Sequence, residues 1–350
     1  MKWCYENGLV LQSIFLAGSK SGNEELCDYV KSMYDAVITG EGKIVHYAED
    51  EYNLDQINAG KTLFLLHHKY QGSQYPAAIK ILRKQLDNHP RTKSGGFWHK
   101  KIYPWQMWLD GLYMQAPFYA QYANEFENEK KADLFNDIVH QFTLVESKAR
   151  DADTGLLYHA WDESCQQKWA NPETGCSPHF WGRAMGWYCM ALVDVMENIP
   201  SAYSENHEAL KAIALRLIAP LLQYQDENTG LWYQVLNMGT EAKNYLESSA
   251  SSMFVYFLLK MLRLKLVAES DAAAVKKAAV KAYEGLVKNK IEKTEGGIDL
   301  NGICKVAGLG GNPYRDGSYA YYVSEPVVAG DFKGVGPFIL ASLEYEGLNT

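Results

Sequence analysis

The sequence of 350 residues lacks the features that mark several large classes of protein. It contains no run of about 18 apolar residues, which is the least that a membrane-spanning helix needs. The apolar stretch 9–18 is interrupted by Gln12 and Ser13, and neither a basic segment nor a cleavage-site pattern frames it, so it does not predict a signal peptide. We therefore expect a cytoplasmic protein that has no membrane partner.

Cysteine and basic residues are also few. The six cysteines form no CxxC motif and no Cys/His pairing of the kind that holds zinc, so we expect reduced thiols and no metal site. The 34 Lys and Arg residues are outnumbered by 42 Asp and Glu residues, which gives a net charge of −8. Surfaces that bind nucleic acids or anionic membranes need clustered Lys and Arg, so the composition argues against both partners.

The motifs of several enzyme classes are missing as well. No GxSxG elbow and no HExxH helix is present, which removes the basis for a serine hydrolase or a zinc protease. The glycines of segment 307–317 match neither GxxxxGK[ST] nor a GxGxxG between a strand and a helix. We therefore expect neither an ATP site nor a dinucleotide cofactor.

Aromatic residues, in contrast, are abundant. The chain has 24 Tyr, 12 Phe and 9 Trp, and many of them stand beside Gly and Asp rather than at the spacing of a helix core. A bulky core is one explanation. Carbohydrate sites are another, because the C–H face of a sugar packs on an aromatic ring while polar neighbours reach the ring edge.

Apolar residues recur at helical spacing through most of the chain, which predicts an all-α fold. The segment Gln106–Phe126 carries them along one broad face, and Pro104 precedes it where the first turn of a helix accepts proline. Further helices are predicted near 6–17, 24–38, 56–70, 75–87, 129–149, 180–197, 207–224, 247–266, 270–290 and 334–346. Little of the sequence predicts strands.

A glycine-containing turn recurs between the predicted helices. Residues 151–158 (DADTGLLY) are echoed by residues 226–233 (DENTGLWY), with weaker copies at 93–98 and 295–298. The Thr-Gly element predicts a turn with glycine at positive φ, followed by a short extended piece that can place side chains in a cleft. The unequal spacing suits helical hairpins closed into a ring, with an open α-solenoid as the alternative.

Asp110 interrupts an apolar run early in its predicted helix. A carboxylate there is costly to bury unless it is paired or hydrogen-bonded, so its presence suggests a function. A structural explanation also exists, since the start of a helix favours negative charge.

Asp162 lies in the segment Tyr158–Ser164, directly after one copy of the glycine turn. Its neighbours His159 and Trp161 are able to shield the carboxyl from water and raise its pKa towards that of a proton donor. Glu163 is a rival for this role, and a solvated turn would explain Asp162 without any function.

Three further residues are candidates for binding a substrate. Arg183 and Trp187 are four residues apart on one face of a predicted helix, where they would either clamp a sugar carboxylate or simply pack together. His179 is a weaker candidate, because a lone histidine more often satisfies nearby backbone. Arg315 lies in the glycine-rich segment 307–322, which resembles the rim of a polar cleft.

Several long motifs resemble those of the unsaturated rhamnogalacturonyl hydrolases of glycoside hydrolase family 105. The likeness runs from about Trp3 to Leu343 and is carried by residues 94–118 (SGGFWHKKIYPWQMWLDGLYMQAPF), 154–164 (TGLLYHAWDES), 169–188 (WANPETGCSPHFWGRAMGWY), 226–235 (DENTGLWYQV) and 244–251 (NYLESSAS). It implies a six-hairpin α/α barrel that forms a single catalytic domain over residues 1–350.

The resemblance also implies an activity. Such an enzyme removes a terminal 4,5-unsaturated uronic acid from pectin-derived oligosaccharides by hydrating its C4=C5 double bond, without a metal or cofactor. Asp162 would be the general acid and base, and Asp110 the second active-site carboxylate. The resemblance and the residue patterns together place the following side chains near the substrate: Tyr113, His159, Trp161, His179, Arg183, Trp187 and Arg315.

Other functions remain open at this point. An unsaturated glucuronyl hydrolase acting on glycosaminoglycan-type disaccharides would share the barrel, as would an ordinary glycosidase or an epimerase. A non-catalytic carbohydrate-binding helical protein would keep the aromatic residues but has no use for two converging carboxylates. The sequence does not indicate an oligomeric state.

Overall fold

The computed structural model describes residues 1–348, and most of them lie in α-helices. The helices are α1 Tyr5–Ser21, α2 Glu24–Asp35, α3 Asp55–Asn58, α4 Lys61–Tyr70, α5 Gln74–Asn88, α6 Leu109–Phe126, α7 Lys131–Ala149, α8 Gly182–Asn198, α9 Ser204–Gln223, α10 Ser248–Arg263, α11 Glu269–Lys290, α12 Tyr319–Ser324 and α13 Phe332–Glu346. The strands are β1 Gln106–Trp108, β2 Ala160–Asp162, β3 Ile291–Thr294, β4 Gly297–Leu300, β5 Ile303–Cys304 and β6 Val327–Val328.

Each predicted segment contains a helix, but the segment 56–70 is divided into α3 and α4, and the start of the helix predicted at residue 106 was wrong. Residues Gln106–Trp108 form β1, which pairs with β2 in antiparallel register, and α6 begins only at Leu109. Trp108 keeps an extended backbone, and the Leu109 N–H donates to the carbonyl of His159 at 3.0 Å. Pro104 therefore precedes a short strand rather than occupying the first turn of the helix.

Six helical units form a closed inner ring. In order around the ring they are α1, α3 with α4, α6, α8, α10 and α13, and α13 packs against α1 to complete it. Helices α2, α5, α7, α9 and α11 pack outside, each against the inner helix that precedes it. This arrangement is the predicted (α/α)6 barrel, and it rules out the open solenoid.

The inner helices supply most of the core because they are covered on nearly all sides. In α8, every residue from Gly182 to Met196 is buried, and α10 is buried from Ser248 to Met261. A helix that is apolar around its whole circumference needs neighbours on every side. Closing the ring provides them, with the outer helices covering the remaining face.

The predicted glycine turns are confirmed. Gly155 and Gly230 have φ of 71° and 77°, and the side chain of Asp151 accepts hydrogen bonds from the N–H and hydroxyl of Thr154. A further turn of the same kind, which was not predicted, ends at Gly175 with φ of 77°. These turns hold the loops that connect outer helices to the following inner helices.

Two findings bear on the cellular environment. Among the helices of residues 1–348, none combines the length and apolar character needed to cross a membrane. All six cysteines are free thiols, and Cys27, Cys176, Cys189 and Cys304 are buried.

Candidate active site

A cavity of about 330 Å³ lies where α1, α3 and α6 begin. We call it the helix-start cavity, and its charged and aromatic lining residues are Lys2, Trp3, Tyr5, Glu6, Asp55, His99, Lys100, Tyr103, Trp108, Asp110 and Arg315. Its volume falls in the range of pockets that hold small molecules. The lining mixes both signs of charge with aromatic faces.

Asp110 is the second residue of α6, where the positive end of the helix dipole favours a carboxylate. Its Oδ2 lies 3.2 Å from Nε2 of His159, close enough for an ion pair although not aligned as a linear hydrogen bond. His159 is 0% exposed, and its Nδ1 lies 2.7 Å from the hydroxyl of Tyr322. The buried histidine is thus held between the aspartate and the tyrosine.

The protonation of Asp110 follows from this contact. Burial by itself would raise the pKa of the Asp110 carboxyl, but the charge of His159 and the contact with it outweigh burial. The pKa of Asp110 therefore lies below its ordinary value. At neutral pH the ligand-free protein presents a carboxylate to the cavity.

Asp55, the first residue of α3, supplies a second carboxylate to the same cavity. Its Oδ2 lies 2.5 Å from Nζ of Lys100, and its Oδ1 lies 3.6 Å from Nε2 of His99. Burial lowers the pKa of Lys100, but the ion pair with Asp55 outweighs burial and the pKa is raised. Burial lowers the pKa of His99 to about 4, so this imidazole is neutral at pH 7.

Three parallel rings form one wall of the cavity. Trp108 stacks on His99 at 4.5 Å between ring centroids, with 12° between the planes, and on Tyr103 at 5.0 Å, with 14°. The indole N–H of Trp108 donates to Oε1 of Gln106 at 3.0 Å, which fixes the ring. A flat, fixed aromatic wall beside charged groups suits the packing of a sugar ring.

Arg315 reaches the cavity from the glycine-rich segment. Its Nε donates to the carbonyl of Gly310 at 2.9 Å, and its Nη2 donates to the hydroxyl of Tyr103 at 3.1 Å. Within residues 1–348 no carboxylate lies in ion-pair range of this guanidinium. We call Arg315 a held cation, because these hydrogen bonds fix its side chain while its charge stays available to an anionic ligand.

Asp162, the predicted general acid, is not among the residues that line the helix-start cavity. It is fully buried, and both of its carboxylate oxygens accept hydrogen bonds from the loop that follows it. Ser164 donates through its N–H and hydroxyl to Oδ1, at 2.9 and 2.7 Å, and the N–H groups of Gln166 and Gln167 donate to Oδ2, both at 2.9 Å. The rival Glu163 is engaged as well, because it accepts from the backbone of residues 93 and 94.

The pairing of Asp110 with Asp162 across one hollow therefore stays a prediction. The carboxylate that shares the cavity with Asp110 is Asp55. The local sequence of Asp162 indicated shielding by aromatic neighbours. It did not indicate that the carboxylate would accept four hydrogen bonds from its own loop.

Arg183 and Trp187 are both buried and do not line the helix-start cavity. Arg183 is 1% exposed, donates through Nη1 to the carbonyl of Cys304, and lies over the ring of Trp181 at 4.8 Å. Trp187 is also buried and stacks on Tyr113, with 4.9 Å between ring centroids. Three predicted binding residues, Arg183, Trp187 and Tyr113, are thus part of the packed interior beneath the cavity.

The remaining predicted residues do not line the cavity. Trp161 is buried in the core with Nζ of Lys148 lying 5.6 Å from its ring. His179 is partly exposed and packs edge-on against Tyr319, and burial lowers its pKa. His159 contacts Asp110. Of the predicted side chains, Asp110 and Arg315 line the cavity.

Sequence reasoning missed Asp55, His99, Lys100 and Tyr103. Asp55 also stands at the start of a helix, but its neighbours include Asn53 and Gln56, so it does not interrupt an apolar run as Asp110 does. The polar and aromatic segment 97–105 was recognised as a motif, but its individual residues were not selected. Dense polar and aromatic residues before an inner helix are the signal that would have found them.

Together, the barrel and this cavity define a class of protein. A ring of helical hairpins carries two carboxylates, a held cation and a stacked aromatic wall at the helix starts, as an enzyme that cleaves carbohydrates requires. The family model described as Glycosyl Hydrolase Family 88 matches residues 1–349. The chain belongs to this family.

Individual relatives agree with that assignment. A solved glycoside hydrolase of family 105 from C. acetobutylicum is 50% identical, with a TM-score of 0.94 over 99% of this chain and 94% of that one. The predicted resemblance to family 105 is thereby confirmed. The unsaturated rhamnogalacturonyl hydrolase YesR of Bacillus subtilis is 27% identical over 77% of this chain and 75% of its own length. Protein Atu3128 of Agrobacterium fabrum is 42% identical over 66% of this chain and 97% of its own length.

Proposed function

We propose that this glycoside hydrolase removes a terminal 4,5-unsaturated uronic acid from rhamnogalacturonan oligosaccharides by adding water across the C4=C5 double bond. One observation carries the proposal: Asp110 and Asp55 share a cavity with the held cation Arg315 and the stacked wall of Trp108. An unsaturated uronic acid is a flat, anionic ring, which matches a wall and a cation. The similarity to YesR supports the rhamnogalacturonan substrate.

Asp110 is the proposed general acid and base. It is ionised before substrate binds, so a proton must reach it on binding. A bound uronate raises its pKa in two ways, because the sugar ring excludes water and the sugar carboxylate adds a like charge nearby. The protonated acid then donates its proton to C4 of the substrate.

The second step restores Asp110. Protonation of C4 leaves positive charge shared between C5 and the ring oxygen, and water adds at C5 while Asp110 takes up the proton that the water loses. The resulting hemiketal opens and releases the neighbouring sugar. Overall, one water molecule is consumed, with its hydrogen at C4 and its hydroxyl at C5.

The other residues have positioning or electrostatic roles in this proposal. His159, held by Tyr322, fixes the orientation of the Asp110 carboxylate. Asp55, held by Lys100, presents negative charge to the cation that forms at C5. Arg315 pairs with the uronate carboxylate, since none of the described carboxylates occupies it.

The substrate assignment is tested with unsaturated disaccharides made by polysaccharide lyases. We expect the ultraviolet absorbance of the C4=C5 double bond to disappear with a galacturonyl-rhamnose disaccharide and to persist with glucuronyl disaccharides of the glycosaminoglycan type. Loss of absorbance only with the glucuronyl substrates would indicate the alternative activity, that of an unsaturated glucuronyl hydrolase. Persistence with both would contradict the proposed reaction.

Two further expectations stand as proposals beside this one. The chain forms one catalytic domain, supported by the packing of α13 on α1, which ties the two ends of the ring together. The enzyme works in the cytoplasm, supported by its six free thiols, since a reducing compartment keeps thiols unpaired.

A further inference from the structure

A second cavity, of about 240 Å³, lies towards the opposite end of the inner ring. We call it the helix-end cavity, because Leu16, Gln121 and Lys260, from the later turns of α1, α6 and α10, line it. None of the residues that line the helix-start cavity lines this one. It is therefore separate from the proposed hydrolase site.

Lys61 lines this cavity with an amine that has no partner. The residue is 2% exposed, and within residues 1–348 its Nζ neither donates a hydrogen bond nor lies in ion-pair range of a carboxylate. The Nζ atom lies 3.7 Å from the ring centroid of Tyr113, whose hydroxyl is also buried without a partner. A buried ammonium without a counter-ion is costly, so this environment favours the neutral amine.

The two acids that line this cavity with Lys61, Asp194 and Glu197, are already occupied. Oδ1 of Asp194 accepts from Nζ of Lys260 at 2.7 Å and from the hydroxyl of Tyr256 at 2.6 Å, and Glu197 also lies 2.7 Å from Lys260. Burial lowers the pKa of Lys61 to about 7. Asp194 partly opposes this effect, and the positive charge of Lys260 adds to it.

This combination has a chemical consequence. A lysine that is desolvated and stands beside another cation keeps a free electron pair at neutral pH, which is the usual condition of lysines that attack carbonyl carbons. The same cavity also contains the side-chain carbonyl of Gln12, whose Oε1 is a buried acceptor without a donor. A small ligand that offers both a carbonyl and a hydroxyl would satisfy both groups.

We propose that Lys61 is a nucleophilic amine that forms a Schiff base with small hydroxyaldehydes entering the helix-end cavity. The electron pair of Nζ attacks the carbonyl carbon and gives a carbinolamine. Loss of one water molecule then leaves a C=N bond between Nζ and the former carbonyl carbon. A hydroxyl of the aldehyde donates to Oε1 of Gln12.

The test is reductive trapping on the full-length protein. The protein is incubated at pH 7 with glyceraldehyde and sodium cyanoborohydride, which reduces the imine to a stable secondary amine, and peptide mapping by mass spectrometry locates the added mass. Because burial lowers the pKa of Lys61 to about 7, much more of it is neutral at pH 7 than of an ordinary exposed lysine, for which the neutral fraction is below about one in a thousand. We expect Lys61 to be labelled at least about tenfold faster than the exposed Lys276. Labelling of Lys61 no faster than Lys276 would overturn the proposal.

The pH dependence and a matched variant make the result specific. Between pH 7 and pH 9 the labelling rate of Lys61 should rise far less than the roughly hundredfold increase typical of an exposed lysine with an ordinary pKa. In Lys61→Met, which keeps a side chain of similar length without an amine, labelling at position 61 should be lost while Lys276 is labelled as before. A Lys61 rate that rises in parallel with Lys276 would contradict the proposal, even if the variant proved unstable.

Discussion

Replacing Asp162 by Asn is expected to cost stability rather than chemistry. The asparagine carbonyl can still accept from Ser164, but its NH₂ group faces the N–H groups of Gln166 and Gln167, which then lose their acceptor. Leaving one fully buried donor unpaired costs about 1–3 kcal/mol, and because these two donors are only partly buried, we expect the free energy of unfolding to fall by about that amount in total. The exposed Asp153→Asn serves as the control and should change little.

The assay combines denaturant unfolding with kinetics on an unsaturated disaccharide. At a temperature where Asp162→Asn remains folded, its kcat should stay within about tenfold of wild type, because Asp162 is not among the residues that line the helix-start cavity. A loss of turnover by about two orders of magnitude or more, with an unchanged free energy of unfolding, would refute this reasoning. It would restore Asp162 as the acid.

Three further predictions concern the helix-start cavity. The pKa of His99 is about 4 in the folded protein and about 6.5 in the unfolded chain, so the unfolded chain binds more protons between these pH values. The free energy of unfolding should therefore fall by about 3 kcal/mol from pH 7 to pH 4. His99→Gln should lose that part of the pH dependence in denaturant titrations. Tyr322→Phe, which frees Nδ1 of His159, should lower kcat about tenfold with little change in KM, measured by steady-state kinetics. Arg315→Ala should raise KM for the unsaturated uronate about tenfold, whereas the exposed Lys305→Ala should not.

The barrel was accessible from sequence because its helices are long. Apolar spacing over 15 or more residues distinguishes a helix from a strand, and α6 and α8 show it clearly. Strands of two to four residues, such as β1 and β2, are too short to show alternation. For that reason β1 was read as the beginning of α6.

Only part of the candidate site could be predicted from the sequence. Asp110 stood out because a carboxylate in an apolar helix start needs a reason, and the structure places it in the cavity. Its partner Asp55 is distant in sequence and meets it only because α3 and α6 are neighbours in the closed ring. No local pattern carries that information.

For Asp162, the local sequence does not show which way the side chain faces. Aspartate and asparagine commonly anchor turns by accepting from the backbone two or more residues later, and Ser164 and Gln166 follow at those positions. Local sequence showed a carboxylate between aromatic residues. Whether its oxygens face a cavity or their own loop depends on the direction of the chain after β2.

Asp110 is the central residue of the proposed reaction. The decisive measurement is the rate at which Asp110→Asn removes the double-bond absorbance of an unsaturated galacturonyl-rhamnose disaccharide. Because the variant cannot donate and recover a proton, its turnover should fall by about 10² to 10⁴-fold, with the barrel intact by circular dichroism. A folded Asp110→Asn enzyme that turns over within about tenfold of wild type would contradict the account.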